Sequence, residues 1–197
     1  MYLIRLSVFL GTLVMSSILI VEASDAPNFD FLKVANNSVD IYHGIKSRLK
    51  ITDEFKFIGE HHYRAVFHEH PFDVNVAAFV NENALLAVHA ESVTDDSGYL
   101  DYGYLDQVTF HGTPARYSQK CLQLTAEQVD QAHDLSFFKS HGFDFSPHIR
   151  LEQLFMISAD RNNEIVITYA TKHNSCNGTM DLGTSGFQNI ITHFTIQ

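Results

Sequence analysis

The sequence predicts an α+β fold: a largely antiparallel β-sheet, curved or barrel-like, with two main α-helices. Three observations predict it. The middle of the chain alternates with a period of two, with Tyr63, Ala65 and Phe67 set against His62, Arg64, Val66 and His68. Short polar segments such as Asn81-Glu82-Asn83 and Asp160-Arg161-Asn162-Asn163 separate stretches of this kind, as antiparallel neighbours require. Thr125-Ala126-Glu127-Gln128 has the pattern of a capping box, which opens a helix.

The first 23 residues read as a secretory signal peptide. Arg5 precedes a run from Leu6 to Val21 that holds no ionisable side chain, and Val21-Glu22-Ala23 supplies a small-x-small cleavage site. The run is short for a membrane span, which needs about 20 apolar residues. The expected product begins near Ser24, and residues 24–197 are long enough for a single globular domain with a full core. That places the protein in a secreted or periplasmic setting.

The elements follow in order. Residues 24–36 form a polar entry containing Pro27. Ser38 to Lys50 reads as a helix, because Val39, Tyr42, Ile45 and Leu49 fall on one face, with Asn37 and Asp40 at its start. His62 to His70 reads as one half-buried strand, and Asp73 to Val80 as a second. Ala84 to Val93 returns as its partner, although Ala84-Leu85-Leu86-Ala87 is also good helix sequence. A loop over Thr94 to Gly98 leads to a strand over Tyr102 to His111. The capped helix should then run from Thr125 to about Ser140 and stop at Gly142. A break follows over Phe143 to Pro147. Leu151 to Ala159 and Glu164 to Lys172 make a hairpin, Thr184 to Gly186 is a loop, and Phe187 to Ile196 is a final strand.

Composition restricts the function. The formal net charge is −10, and Arg5 cancels Glu22 in the leader, so the remainder carries the same charge. That sign excludes nucleic-acid binding through phosphate contacts and disfavours adsorption to anionic lipid. No membrane association beyond the signal peptide is expected. Twelve histidines lie on this acidic background, so full protonation would make the chain slightly positive. The only cysteines, Cys121 and Cys176, read as one disulfide in an exported protein. They leave open a bridge between two chains.

Candidate chemistry centres on the histidines. In a single strand, His62, His68 and His70 share one face, and a His-x-His pair can offer two imidazoles to zinc or copper. His89 and Glu91 repeat the spacing further on and would complete a metal site if their strand lay alongside. A divalent metal is the one cofactor this pattern suggests, and a solvated sheet face that binds nothing is the plainer reading. The spacing does not match the cupin metal pattern. Asp95-Asp96-Ser97-Gly98 and Asp101 do not follow an EF-hand order. Tyr99, Tyr102 and Tyr104 could form a contact surface. Gly183-Thr184-Ser185-Gly186 lacks the final glycine of a nucleophile elbow. Asp130 and His133, or His133 and Asp134, read better as exposed charges than as an acid/base pair. Asn36 and Asn177 open N-x-S/T sequons, which would carry glycans in a eukaryotic secretory pathway.

The leading expectation is an exported binding or interaction protein, rather than an enzyme, for a small ligand, a metal ion or another exported protein. The alternative is a metal-dependent extracellular enzyme or a metal carrier built on His62, His68 and His70.

Overall fold

The computed structural model describes residues 29–145, 148–176 and 187–197. Among the described residues, eleven strands lie in two antiparallel sheets. The large sheet has seven strands: β4 (Lys56–Phe67), β5 (His70–Val80), β6 (Ala84–Val93), β7 (Asp106–Phe110), β8 (Thr113–Leu122), β9 (His148–Ile157) and β10 (Asn163–His173). Their order across the sheet is β4-β5-β6-β10-β9-β8-β7. The small sheet runs β1 (Leu32–Ala35), β2 (Ser38–Ile41), β3 (Ser47–Ile51) and β11 (Phe194–Ile196). Neither sheet closes on itself, so the α+β expectation holds and the barrel does not. The described residues also form three helices: α1 (Ala126–Gln131), α2 (His133–Ser140) and α3 (Gln188–His193).

The central strands are covered on both faces, which explains their near-continuous apolar runs. Leu85, Ala87, Val74, Val76, Phe155 and Val166 pack beneath α1, α2, Leu100 and Tyr102. Leu86, Val88, Phe79, Leu154, Ile165 and Ile167 pack against Leu32, Val39, Ile41, Leu49 and Ile51 of the small sheet and Ile190 of α3. This two-sided burial settles Ala84-Leu85-Leu86-Ala87 as strand, because both sets of alternating residues find a core. On the small-sheet side, Asn75 is fully buried, and its Oδ1 accepts from the backbone N–H groups of Phe31 and Leu32 at 3.0 Å each. That pair of bonds ties the start of β1 to β5.

Two-residue turns set much of the register. Asn36-Asn37, His68-Glu69 and His111-Gly112 each have both φ values positive, as a type I′ hairpin demands. They join the paired residues Ala35 and Ser38, Phe67 and His70, and Phe110 and Thr113. Asn and Gly adopt this geometry readily, whereas His68-Glu69 carries no such signal, so the expected single strand from His62 to His70 is in fact the end of β4, a turn and the start of β5.

Three other expectations are corrected. Ser38 to Lys50 is the β2–β3 hairpin, not a helix. Val39, Ile41, Leu49 and Ile51 form the buried set with a period of two, while Tyr42 is more than half exposed. Phe187 to Ile196 is mostly α3, and only Phe194–Ile196 joins the small sheet. Tyr102 lies in the connection before β7, which pairs with a strand, β8, that the pattern did not reveal.

The capping box is present as read: Thr125 Oγ1 accepts from Gln128 N, and Gln128 Oε1 accepts from Thr125 N at 2.8 Å. The helix it opens breaks at Ala132, whose backbone is extended (ψ 126), and restarts as α2. Gly142 ends α2 with φ +92, donating its N–H to Lys139 O. Cys121 near the end of β8 and Cys176 beyond β10 form a disulfide, with 5.5 Å between Cα atoms. Closing a 55-residue separation stabilises the fold by roughly 4 kcal/mol in the chain-entropy model. Residues 1–23, expected to be a signal peptide, residues 183–186, expected to be a loop, and Asn177 lie outside the described residues.

Candidate functional site

The five expected metal ligands do not converge. His62 lies on the small-sheet face of β4, where Nδ1 donates to Phe29 O at 3.0 Å and Nε2 accepts from Asn75 Nδ2 at 3.3 Å. His68 is exposed in the β4–β5 turn. His70, at the start of β5, bonds Asp95 Oδ2 through Nδ1 at 2.8 Å and stacks on Tyr99 with centroids 4.2 Å apart. His89 and Glu91 are buried on the helix-facing side of β6. The shared face expected for His62, His68 and His70 fails because the hairpin turn lies between them. Among the described residues, no group of three or more His, Cys, Asp or Glu could hold a metal ion.

The helix-facing side of the large sheet nonetheless concentrates buried ionisable groups. His89 Nδ1 stands 3.6 Å from Glu91 Oε1, too far for a hydrogen bond, and has no hydrogen-bond partner. Burial brings its imidazole down to about 4, so the ring is neutral near neutral pH. Glu164 of β10 pairs across from Glu91 and is fully buried. Asp134, in the first turn of α2, is also buried. Its Oδ1 accepts from Leu135 N at 2.9 Å, and desolvation pushes the carboxyl up to about 7. The expectation that Asp134 is an exposed charge is therefore corrected. Asp130, by contrast, is exposed and bonds Lys139 Nζ at 2.7 Å.

Where α2 crosses β4, rings stack in a layer. His133 lies on Tyr63 (centroids 4.8 Å apart), His61 on Phe137 (5.2 Å), and His141 contacts Phe137 (4.4 Å). Gly59 makes this approach possible. A β-bulge falls between Phe57 and Gly59, φ at Gly59 is +148, and a Cβ there would stand 3.3 Å from Phe137 Cζ. Burial holds the His61 imidazole below its usual range, and the neighbouring His133, His62 and His141 add to the effect.

Beside these helices lies a half-open groove of about 390 Å³. Leu124, Ala126, Val129 and Phe145 form its apolar lining, and Gln123, Lys139 and Asp144 supply polar groups. Three separated segments build it: the β8–α1 connection with α1, the end of α2, and the irregular stretch after Gly142. The expected tyrosine surface is not continuous. Tyr102 is buried and stacks on Phe155 at 4.4 Å, and Tyr99 is half-buried against His70 and Phe72. Of the three, Tyr104 alone is well exposed, at 49%.

No protein-family model, curated protein or solved structure matches the chain. Function therefore has to be read from the site. The groove is not legible in the sequence, although the capping box at Thr125 marks the start of one of its walls. The ring layer is not legible in the sequence either, because it forms only where α2 packs on the face of β4 that carries His61 and Tyr63.

Proposed function

We propose that the protein is an exported binding protein that takes a small, mostly apolar molecule with a polar end in the groove between α1, α2 and residues 143–145. The observation that carries this reading is the groove itself. Its volume of about 390 Å³ lies within the range of small-molecule sites, roughly 300–1,000 Å³. Leu124, Val129 and Phe145 offer the apolar contact, while Lys139 and Asp144 fix the orientation of a polar group. Lys139 is already engaged by Asp130, so the polar end of the ligand meets a neutralised pair rather than a bare cation. The export half of the reading rests on the leader sequence and on the Cys121–Cys176 disulfide, which suits an oxidising compartment. Among the described residues no helix is long and apolar enough to cross a membrane.

Solvent extraction tests the reading. Protein is purified from its own export compartment and extracted, and the extract is analysed by mass spectrometry. The expected result is one organic compound in near-equimolar amount, depleted when Val129→Trp fills the groove. An extract without such a compound, from protein that also binds none added back, contradicts it.

A further inference from the structure

We infer that Asn36 is an N-glycosylation site, occupied when the chain passes through a eukaryotic secretory pathway; the inference rests on the export half of the reading above. Asn36-Asn37-Ser38 is a sequon, and the fold puts it at the tip of the β1–β2 hairpin. The two asparagines of the turn have different tasks. Asn37 carries the tertiary ties: its carbonyl accepts from Ile51 N at 2.8 Å, and its Nδ2 donates to Asp53 Oδ1 at 3.4 Å. Asn36 is exposed, and among the described residues no hydrogen bond uses its side chain. Its φ of +49 is a conformation that asparagine tolerates better than most residues. A sugar on Asn36 therefore breaks no contact of the folded protein, whereas one on Asn37 would.

The chemistry is a glycosyl transfer from a lipid-pyrophosphate-linked oligosaccharide, catalysed by the host transferase. Asn36 Nδ2 forms a bond to C1 of the first sugar and gives up one proton to a base of the transferase. The bond from C1 to the pyrophosphate oxygen breaks, and the lipid pyrophosphate leaves with that electron pair. The glycan would stand at the end of β1, an outer strand of the small sheet, where it hinders another chain from adding to the sheet. The groove lies on the other side of the large sheet, so the glycan leaves ligand access open.

The full chain, with its own leader, is expressed in a eukaryotic secretory cell line, and protein is collected from the medium. Trypsin releases Val34–Lys46, which contains Asn36 and no other sequon. Enzymatic glycan release in heavy-oxygen water then marks each occupied Asn36 as a labelled Asp. The expected result is label on most copies of this peptide, its loss in Ser38→Ala, and its return in Ser38→Thr. Secreted protein with Asn36 unlabelled overturns the inference and leaves export standing. Protein retained in the cytosol with residues 1–23 attached overturns both.

Discussion

The two faces of the seven-stranded sheet are buried to a similar degree and differ in what they bury. Toward the small sheet the contacts are aliphatic and aromatic: Phe79, Leu86, Val88, Leu154, Ile165 and Ile167 meet Val39, Leu49 and Ile51. The buried polar groups on that side are mostly tied to fixed partners. Asn75 accepts two backbone N–H groups, and Glu152 Oε1 accepts from Asn189 at 2.7 Å, although its Oε2 has no hydrogen-bond partner. Toward the helices the same sheet buries His89, Glu91, Glu164 and Gln153, and α2 buries Asp134. His89 Nδ1 and Gln153 Oε1 have no hydrogen-bond partner there. Both faces carry a hydrophobic core, and the helix-covered one also buries His89, Glu91 and Glu164, at a cost in stability that depends on pH.

The largest effect should come from the aliphatic face. Leu154→Ala empties a fully buried position between the sheets, and the expected loss is roughly 2–5 kcal/mol in urea unfolding. That loss should be the same at pH 5 and pH 8. A strong pH dependence would break the distinction between the faces.

On the helix side, Asp134→Asn should be stabilising, and only above acid pH. The folded carboxyl sits near 7, above that of a free aspartate, so its cost is absent below about pH 4 and complete above pH 7. The expected gain at pH 8 is about 4 kcal/mol, the equivalent of a shift of roughly three units. Unfolding midpoints of the two proteins should converge at pH 4. Equal stability at pH 8 would mean that Asp134 reaches water in solution.

His89→Leu should act in the opposite direction. The folded imidazole sits near 4, below that of free histidine, so the native protein loses stability as pH falls from about 6.5 toward 4. The variant should lack about 3 kcal/mol of that loss. Matching acid-unfolding curves for the two proteins would place the acid sensitivity elsewhere, with the ring layer of His61, His133 and His141 the next group to test.

The same contrast explains which parts were legible in the sequence. Elements whose signals are local are readable: the capping box at Thr125, the Asn81-Glu82-Asn83 turn, and the strand over Glu164 to Lys172, whereas Ala84 to Val93 also needs its two-sided burial to exclude a helix. The β2–β3 hairpin is not legible because Val39 and Leu49 suit a helical stripe as well as an alternating strand, and only packing against β5 and β6 decides between them. The metal reading failed on one turn: His68-Glu69 adopts a conformation usually signalled by Asn or Gly, so nothing in the residues marked the reversal that separates His62 from His70. The groove was beyond reach for a different reason. Gln123, Val129, Lys139 and Phe145 acquire a common purpose only once α1, α2 and the segment after Gly142 are assembled.

The most direct test of the central claim compares the two faces in one measurement. Native mass spectrometry of the protein from its export compartment, purified without chelator, should show the polypeptide carrying the extra mass of one organic molecule. That mass should persist in Tyr42→Ala, an exposed change on the small-sheet side, and vanish in Val129→Trp, which blocks the groove. Extra mass retained in Val129→Trp, or a bare polypeptide mass in all three proteins, would contradict the assignment of binding to the helix-covered face.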